Sequence, residues 1–463
     1  MPVKRAQKTS MPVREAQTRA HDFEEVNSGY SAAQARFESE RCLRCQDPVC
    51  VDGCPVSVPI PEFIHAVSMG DMAGAARILR SANPLPAICG RVCRQESQCE
   101  ADCSMTQRFN PVGIGHLERY VADWERTQPP SVQAKITRKE KIAIIGAGPS
   151  GLVCAGELAR RGYPVTIYEA LHAAGGVLRY GIPEFRLPKA ILDWEIGLLQ
   201  AMGVEIVCNV IIGKTLTLDE LFSKMGYAAV FIGTGAGLPQ FLGIPGENLN
   251  GVMSANEFLT RINLMRGYDP EADTPVRVGK RVAVIGAGNT AMDAVRTSLR
   301  MGAEEAMIVY RRSDKEMSAR VEEYHHAIEE GVQFHWLTNP LEVVDDGNGW
   351  VSGLKCQQMK LGEPDASGRG RPIPIAGSEF VLPVENVVLA IGTTPNPLLT
   401  RTTSGLLTNK KGCLVADEQT GLTSKTLVFA GGDAVTGAAT VILAAGAGKR
   451  AANAIDEALA TRA

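Results

Sequence analysis

No apolar run in this chain approaches the ~20 residues that a membrane-spanning helix needs; the alanine-rich stretch Ala438–Ala447 is too short. Aromatic residues make up only 5% of the 463 residues, and 45% hydrophobic with 21% charged is the balance of a globular chain. Formal net charge is −3, so there is no global basic footprint for nucleic acid, and runs such as Arg138–Lys141 are too short to supply one. Histidine is scarce. His65, His116, His325 and His326 stand at no metal-ligand spacing from one another or from a third partner. No nucleophile–base constellation is visible, so no side chain is expected to act as a catalytic acid, base or nucleophile. The opening MPVKRAQKTS is polar and charged, with no apolar signal segment, and a cytoplasmic location is expected.

Cysteine is the exception to this sparseness. Eight of twelve lie between Cys42 and Cys103, as Cys42-x2-Cys45-x4-Cys50-x3-Cys54-Pro55 and Cys89-x3-Cys93-x5-Cys99-x3-Cys103. Eight thiolates suffice for two four-cysteine centres. Disulfides need an oxidising compartment, whereas zinc shares the taste for close spacing. Tight spacing that ends in Cys-Pro is the pattern of bacterial ferredoxins, in which the cysteine before proline ligates the other cluster. On that geometry Cys54 leaves the first cluster for the second, and a later cysteine returns to complete the first. Iron–sulfur is the expectation, and zinc is the alternative. Cys154, Cys208, Cys356 and Cys413 are scattered and read as small buried residues.

A chain this long divides into about three domains. Residues 1–30 are polar and read as a loosely tied arm. Apolar spacing over Ile60–Arg80 (Phe63, Ile64, Val67, Ala76, Leu79) predicts one helix between the two cysteine groups. Gln128-Pro129-Pro130-Ser131 reads as a linker.

From Lys141 a strand, a glycine turn and a helix follow one another, twice. The first turn is Gly146-Ala-Gly148-Pro149-Ser150-Gly151, with Glu169 ending the next strand. Glycines permit close approach of a pyrophosphate, the helix N-terminus donates N–H groups, and the acid holds a ribose. The second turn is Gly286-Ala-Gly288-Asn289-Thr290-Ala291, but its next strand ends in Arg311-Arg312. Guanidinium groups pair with a 2′-phosphate that an acid would repel, so NADP(H) is read here in preference to NAD(H), with Arg320 as a third contact. Two nucleotides of different kinds suggest a flavin and a nicotinamide. Near the C-terminus a strand runs into Gly431-Gly432-Asp433 and a long helix, placing an acid for a ribityl chain and a helix N-terminus for reduced-flavin charge.

The order of cysteine groups, GAGPSG, GAGNTA-MD and AGGDAVTGAAT, with RCLRCQDPVC, LPAICGRVC, PVGIGHLERY and GGVLRYGIPEFRLPK, resembles the glutamate synthase small (β) subunit family. That family includes the large subunit of NADH-dependent ferredoxin:NADP transhydrogenase and the N-terminal half of dihydropyrimidine dehydrogenase. The likeness covers roughly residues 20–460; Arg94 stands where proline is common. It implies an α/β chain: an all-helical iron–sulfur domain over residues 31–130, then two Rossmann-like domains, FAD (141–250 and 391–463) with NADP(H) inserted (251–390).

For the first [4Fe-4S] cluster the resemblance implies Cys42, Cys45, Cys50 and Cys103; for the second, Cys54, Cys93 and Cys99 with Glu118, or else Cys89. It adds Gly176, Leu178, Arg186, Gly432, Thr440 and Val441 to the FAD set, and Arg320, Ala390, Ile391 and Gly392 to the NADP(H) set. The implied activity is NADPH-linked electron input to a larger partner subunit of the glutamate synthase type. The alternative is a ferredoxin:NADP oxidoreductase subunit or the NADP(H) port of a 2-oxoacid oxidoreductase. A hetero-oligomer without nucleic acid or membrane is expected.

Overall fold

The computed structural model describes residues 6–129, 135–365 and 368–461. Pro130 and Ser131 of the expected linker lie outside them.

The cysteine-rich region is helical: Ala32–Ser39, Ile60–Met69, Met72–Ala82, Pro86–Val92 and Ile114–Glu125. The single helix expected over Ile60–Arg80 is in fact two. Gly70 ends the first in the left-handed conformation (φ 78°), and Asp71 caps the second by accepting from the Gly74 N–H at 2.8 Å. A left-handed glycine stop followed by a capping aspartate overrides continuous apolar spacing. Phe63, Ile64, Leu79, Ile88 and Leu117 are fully buried, in one continuous core with Ile142, Leu152 and Ile455 of the next domain. The helical region and the first nucleotide domain therefore pack as one body.

The first parallel sheet runs, edge to edge, Val428–Ala430, Tyr227–Ile232, Lys141–Ile145, Val165–Tyr168, Glu205–Val207. Its last-made strand comes from the C-terminus. The second sheet is also parallel: Val252–Ser254, Asn386–Leu389, Arg281–Ile285, Glu305–Val309, Gln333–His335. The central strands of both are buried, as expected where helices cover a parallel sheet on both faces. The two crossings between the sheets pair as an antiparallel ribbon, Leu238–Pro239 with Thr393–Thr394. An antiparallel sheet of three strands (Thr338–Asp345, Val351–Pro364, Gly370–Leu382) extends the second domain and was not foreseen.

The reading of a loosely tied N-terminal arm needs correction over its described part. Thr9 N–H donates to Glu38 (2.7 Å), Val26 N–H to the Phe185 carbonyl (2.9 Å), and Arg19 pairs with Glu329 (2.5 Å) and Glu330 (3.0 Å). These contacts, one of them between backbones and the others to carboxylates, tie the arm to all three domains. Among the described residues no helix is long and apolar enough to cross a membrane.

Candidate functional site

The first glycine turn joins the strand Lys141–Ile145 to the helix Pro149–Arg160. A Cβ on Gly151 would stand 2.0 Å from the Gly146 carbonyl oxygen, so strand and helix meet closer than any side chain allows. At Gly148 a Cβ would meet no protein atom within 4 Å: the space over the helix N-terminus is open, as a pyrophosphate needs. Glu169 is buried and fixed there, accepting from the N–H of Ala147 and of Leu171, each at 2.8 Å. Gly176 packs on Gly148 (a Cβ would lie 2.8 Å from the Gly148 Cα), and Leu178 is fully buried behind it.

The C-terminal segment closes on the same turn. A Cβ on Gly432 would stand 2.9 Å from Ser150 Oγ, and one on Gly448 2.2 Å from the Ser150 carbonyl oxygen. Thr440 caps the helix Val441–Ala460 through the Leu443 N–H. Asp433 accepts from the Ala439 N–H at 3.2 Å; burial nonetheless raises its carboxyl to about 6. Thus Gly146–Gly151, Glu169, Gly176, Leu178, Gly432, Asp433, Thr440 and Val441 converge from three stretches of chain. Tyr180, not singled out from sequence, joins them: burial and the charges of Asp433 and Glu169 push its hydroxyl to about 12. Only its place in GGVLRYGIPEF hinted at this.

Arg186 stands elsewhere. It crosses to the nicotinamide-type domain, donating to both carboxylate oxygens of buried Asp293 (3.1 and 2.9 Å). Asp293 sits in the helix Asn289–Arg300, directly after the second glycine turn. That turn repeats the first: Gly286 packs on the Ala390 carbonyl oxygen (2.4 Å to an added Cβ) as Gly146 packs on that of Gly233 (2.6 Å). A Cβ on Gly288 would approach nothing closer than Ser318 Oγ at 3.4 Å. Asn289 accepts from the Arg320 N–H (2.8 Å), Ala291 is buried, and Thr290 and Gly392 are exposed beside half-buried Ala390 and Ile391.

The three arginines diverge. Arg311 is exposed at the strand end. Arg312 is buried and engaged by Asp365 (2.7 Å) and the Gly370 carbonyl (2.9 Å) of the antiparallel sheet. Arg320 is buried too, paired with Glu322 (2.5 Å) and bonded to the Arg91 carbonyl of the helical domain.

Cys42, Cys45, Cys50 and Cys103 line one pocket, walled otherwise mostly by apolar side chains such as Ile60, Ile64, Val112 and Ile114. Among the described residues no three His, Cys, Asp or Glu side chains close on a single ion; these four thiols stand around a volume instead. Burial, then the neighbouring Cys103, Cys42 and Cys45, push the Cys50 thiol to about 12. Four thiols around an apolar chamber fit an iron–sulfur cluster, whose ligands are thiolates.

Cys54, Cys93, Cys99, Cys89 and Glu118 form a second group. Cys93 is raised by a hydrogen bond with Cys89 and by burial; Cys54 and Cys99 are raised by burial, with Glu118 among the charges acting on all three. The N–H groups of Val58 and Val56 donate to Cys54 and oppose its rise. Glu118 is buried beside the Asn83 amide (3.0 Å), and burial pushes it up to about 8. Of the remaining cysteines, Cys154, Cys356 and Cys413 are buried as expected, but Cys208 is half-exposed.

Residues 19–129 match the family model for dihydropyrimidine dehydrogenase domain II, 4Fe-4S cluster, and residues 140–458 the one for pyridine nucleotide-disulphide oxidoreductase. The chain is 36% identical over 457 residues to the glutamate synthase [NADPH] small chain of Escherichia coli, covering 97% of this chain and 96% of that one. It is 41% identical over 433 residues to the NADP(+)-dependent formate dehydrogenase subunit beta of Moorella thermoacetica, covering 88% of this chain and 59% of that one. Among solved structures, Mycobacterium tuberculosis FprA in complex with NADPH superposes with a TM-score of 0.58 at 21% identity, over 70% of this chain and 85% of that one, a likeness of fold. Near-complete coverage by one relative, with a 4Fe-4S domain ahead of a pyridine nucleotide oxidoreductase domain, places this chain in the glutamate synthase small-chain family of oxidoreductases.

Proposed function

We propose that the chain is an electron-input subunit that takes electrons from NADPH and passes them, by way of FAD and two [4Fe-4S] clusters, to a larger partner of the glutamate synthase type. One observation carries this reading: two glycine turns of the same build, the first with open space over Gly148, follow a cysteine-rich domain that shares its core with the first of them. When bound, the flavin and the clusters supply the conversion of a two-electron donor into one-electron traffic. The chain's own residues bind and orient. Gly146–Gly151 and Gly286–Ala291 offer N–H groups to pyrophosphates, Glu169 accepts from a ribose, Asp433 and the helix at Val441 face the flavin, and Arg311 pairs with a 2′-phosphate. No side chain is required as an acid or base.

Cys42, Cys45, Cys50 and Cys103 hold the first cluster, supported by their common cavity. Cys54, Cys93 and Cys99 hold the second with Glu118, whose burial without a cation favours it over Cys89. Glu118→Ala perturbs one cluster's electron paramagnetic resonance signal and spares the other; if both signals persist unchanged, the fourth ligand is Cys89.

A second reading is the NADP(H) port of another redox assembly, and the likeness to a formate dehydrogenase β subunit favours it. Anaerobic affinity isolation of the tagged chain from its native cells separates the two. A large amidotransferase-type subunit in fixed ratio supports glutamate synthase; a ferredoxin, a second flavoprotein or a dehydrogenase subunit supports the alternative.

A further inference from the structure

The helix Val441–Ala460 begins at the Thr440 cap, beside the first glycine turn, and runs beneath the helical domain. Two of its residues meet the loop that carries Cys54. A Cβ on Gly446 would stand 2.6 Å from the Pro55 carbonyl oxygen, so the backbone of Cys54-Pro55 rests directly on this helix. One turn further, Lys449 Nζ donates to the Val56 carbonyl at 2.8 Å and to the Ala82 carbonyl at 2.9 Å. Val56 belongs to the loop whose N–H groups donate to Cys54. Ala82 precedes Asn83, which donates to Glu118. The lysine thus touches the loop that carries Cys54 and the segment whose asparagine holds Glu118.

A strap between two carbonyls needs donors, not a charge. Neither acceptor of Lys449 is charged, and the nearby Glu157 carboxylate is already paired with Arg160 and Arg161. The half-buried ammonium therefore has no carboxylate in hydrogen-bond contact, Glu157 acting on it only at a distance against Arg160 and Arg161, and Cys54 lies within its electrostatic range. Charge close to an iron–sulfur cluster is one of the levers that set its potential.

We propose that Lys449 is a positioning and potential-setting residue for the cluster held by Cys54. It seats the Cys54–Val58 loop on the helix that leaves the flavin site, and its positive charge favours the form of that cluster carrying one more electron. The inference rests on the assignment of two clusters and a flavin made above.

The full chain is reconstituted anaerobically with iron, sulfide and FAD, and the two cluster signals are followed through a potentiometric titration by electron paramagnetic resonance. In Lys449→Met one cluster moves to lower potential while the other cluster, and the bleaching of flavin by NADPH, stay where they were. Lys449→Arg restores the wild-type potential. Lys449→Gln, which keeps a donor for the carbonyls and lacks the charge, shifts the same cluster in the same direction. The proposal is overturned if both potentials are unmoved in Lys449→Gln, or if both move together and Lys449→Arg does not restore them. Loss of iron in Lys449→Met with an unshifted Lys449→Gln also overturns it, leaving only a strap. A wild-type chain that takes up no iron brings down the cluster assignment itself, before any variant is compared.

Discussion

At the scale of single residues, neighbouring arginines that look equivalent in sequence have different work. Arg311 is free to meet a phosphate, while Arg312 is held by Asp365 and the Gly370 carbonyl. Arg311→Gln therefore raises KM for NADPH by roughly 10-fold or more, the worth of a charged hydrogen bond, and leaves NADH unaffected. Arg312→Gln lowers thermal stability, because a buried guanidinium that joins Asp365 and the Gly370 carbonyl is lost, and discriminates less between the two nucleotides. Steady-state kinetics with both nucleotides and a melting curve of each variant check this; equal loss with NADPH and NADH in Arg311→Gln would remove the 2′-phosphate assignment. Asp433 carries a pH signature. Its folded carboxyl titrates near 6, above the ordinary aspartate value, so the folded state binds more protons than the unfolded chain between about pH 4 and 6. The contribution of this group to stability therefore falls as pH rises through that window. Asp433→Asn removes the dependence, and the flavin-free variant gains on wild type from about pH 4 to 6, then holds a constant lead. Denaturant titrations at several pH values measure the difference.

At the scale of elements, the strand–turn–helix units were legible because their chemistry is local: a buried apolar strand, glycines at fixed offsets and a helix that follows. Two glycines of one turn predict opposite outcomes on folding. Gly151→Ala drives a Cβ into the Gly146 carbonyl, which forces the backbone apart and destabilises the flavin-free chain by about 1–3 kcal/mol. Gly148→Ala meets no protein atom, so the chain folds with unchanged stability and yet loses flavin, because the methyl fills the pyrophosphate space. Melting temperature and bound flavin absorbance, read on both variants, separate the two effects. The antiparallel sheet was not legible. Its central strand contains Gly362 and Pro364, beside a break in register, and one outer strand contains Pro372 and Pro374, residues that mark loops unless they sit at a sheet edge or bulge. Local capping around Gly70 and Asp71 likewise defeated the periodicity that predicted one long helix.

At the scale of the whole molecule, buried ion pairs join parts that are far apart in sequence. Glu330 has a fully buried carboxylate that accepts from Arg19 of the arm and from Arg296 and Arg300 of the nicotinamide-type domain. Glu330→Ala takes the paired carboxylate from buried Arg300, while Arg19 keeps Glu329 and Arg296 keeps Glu323, and costs about 3–5 kcal/mol. Arg19→Ala costs less, because Glu330 keeps its other partners, but it frees the arm to limited proteolysis. Chemical denaturation for the first and a protease time course for the second test this pairing.

The sequence by itself determined the cofactor classes and the order of the iron–sulfur and nucleotide domains, since each rests on residues whose spacing is their chemistry. It determined the family as well. Only the tertiary structure decided which side chains meet. It turned Arg186 and Arg320 to domain junctions, split the pair Arg311 and Arg312, tied down the arm, and laid the Cys54 loop on Gly446 and Lys449. The physical reason is reach: a glycine turn or a Cys-Pro bend is fixed by its immediate neighbours, whereas a long charged side chain has several partners within its length, and packing at a distance in sequence selects among them.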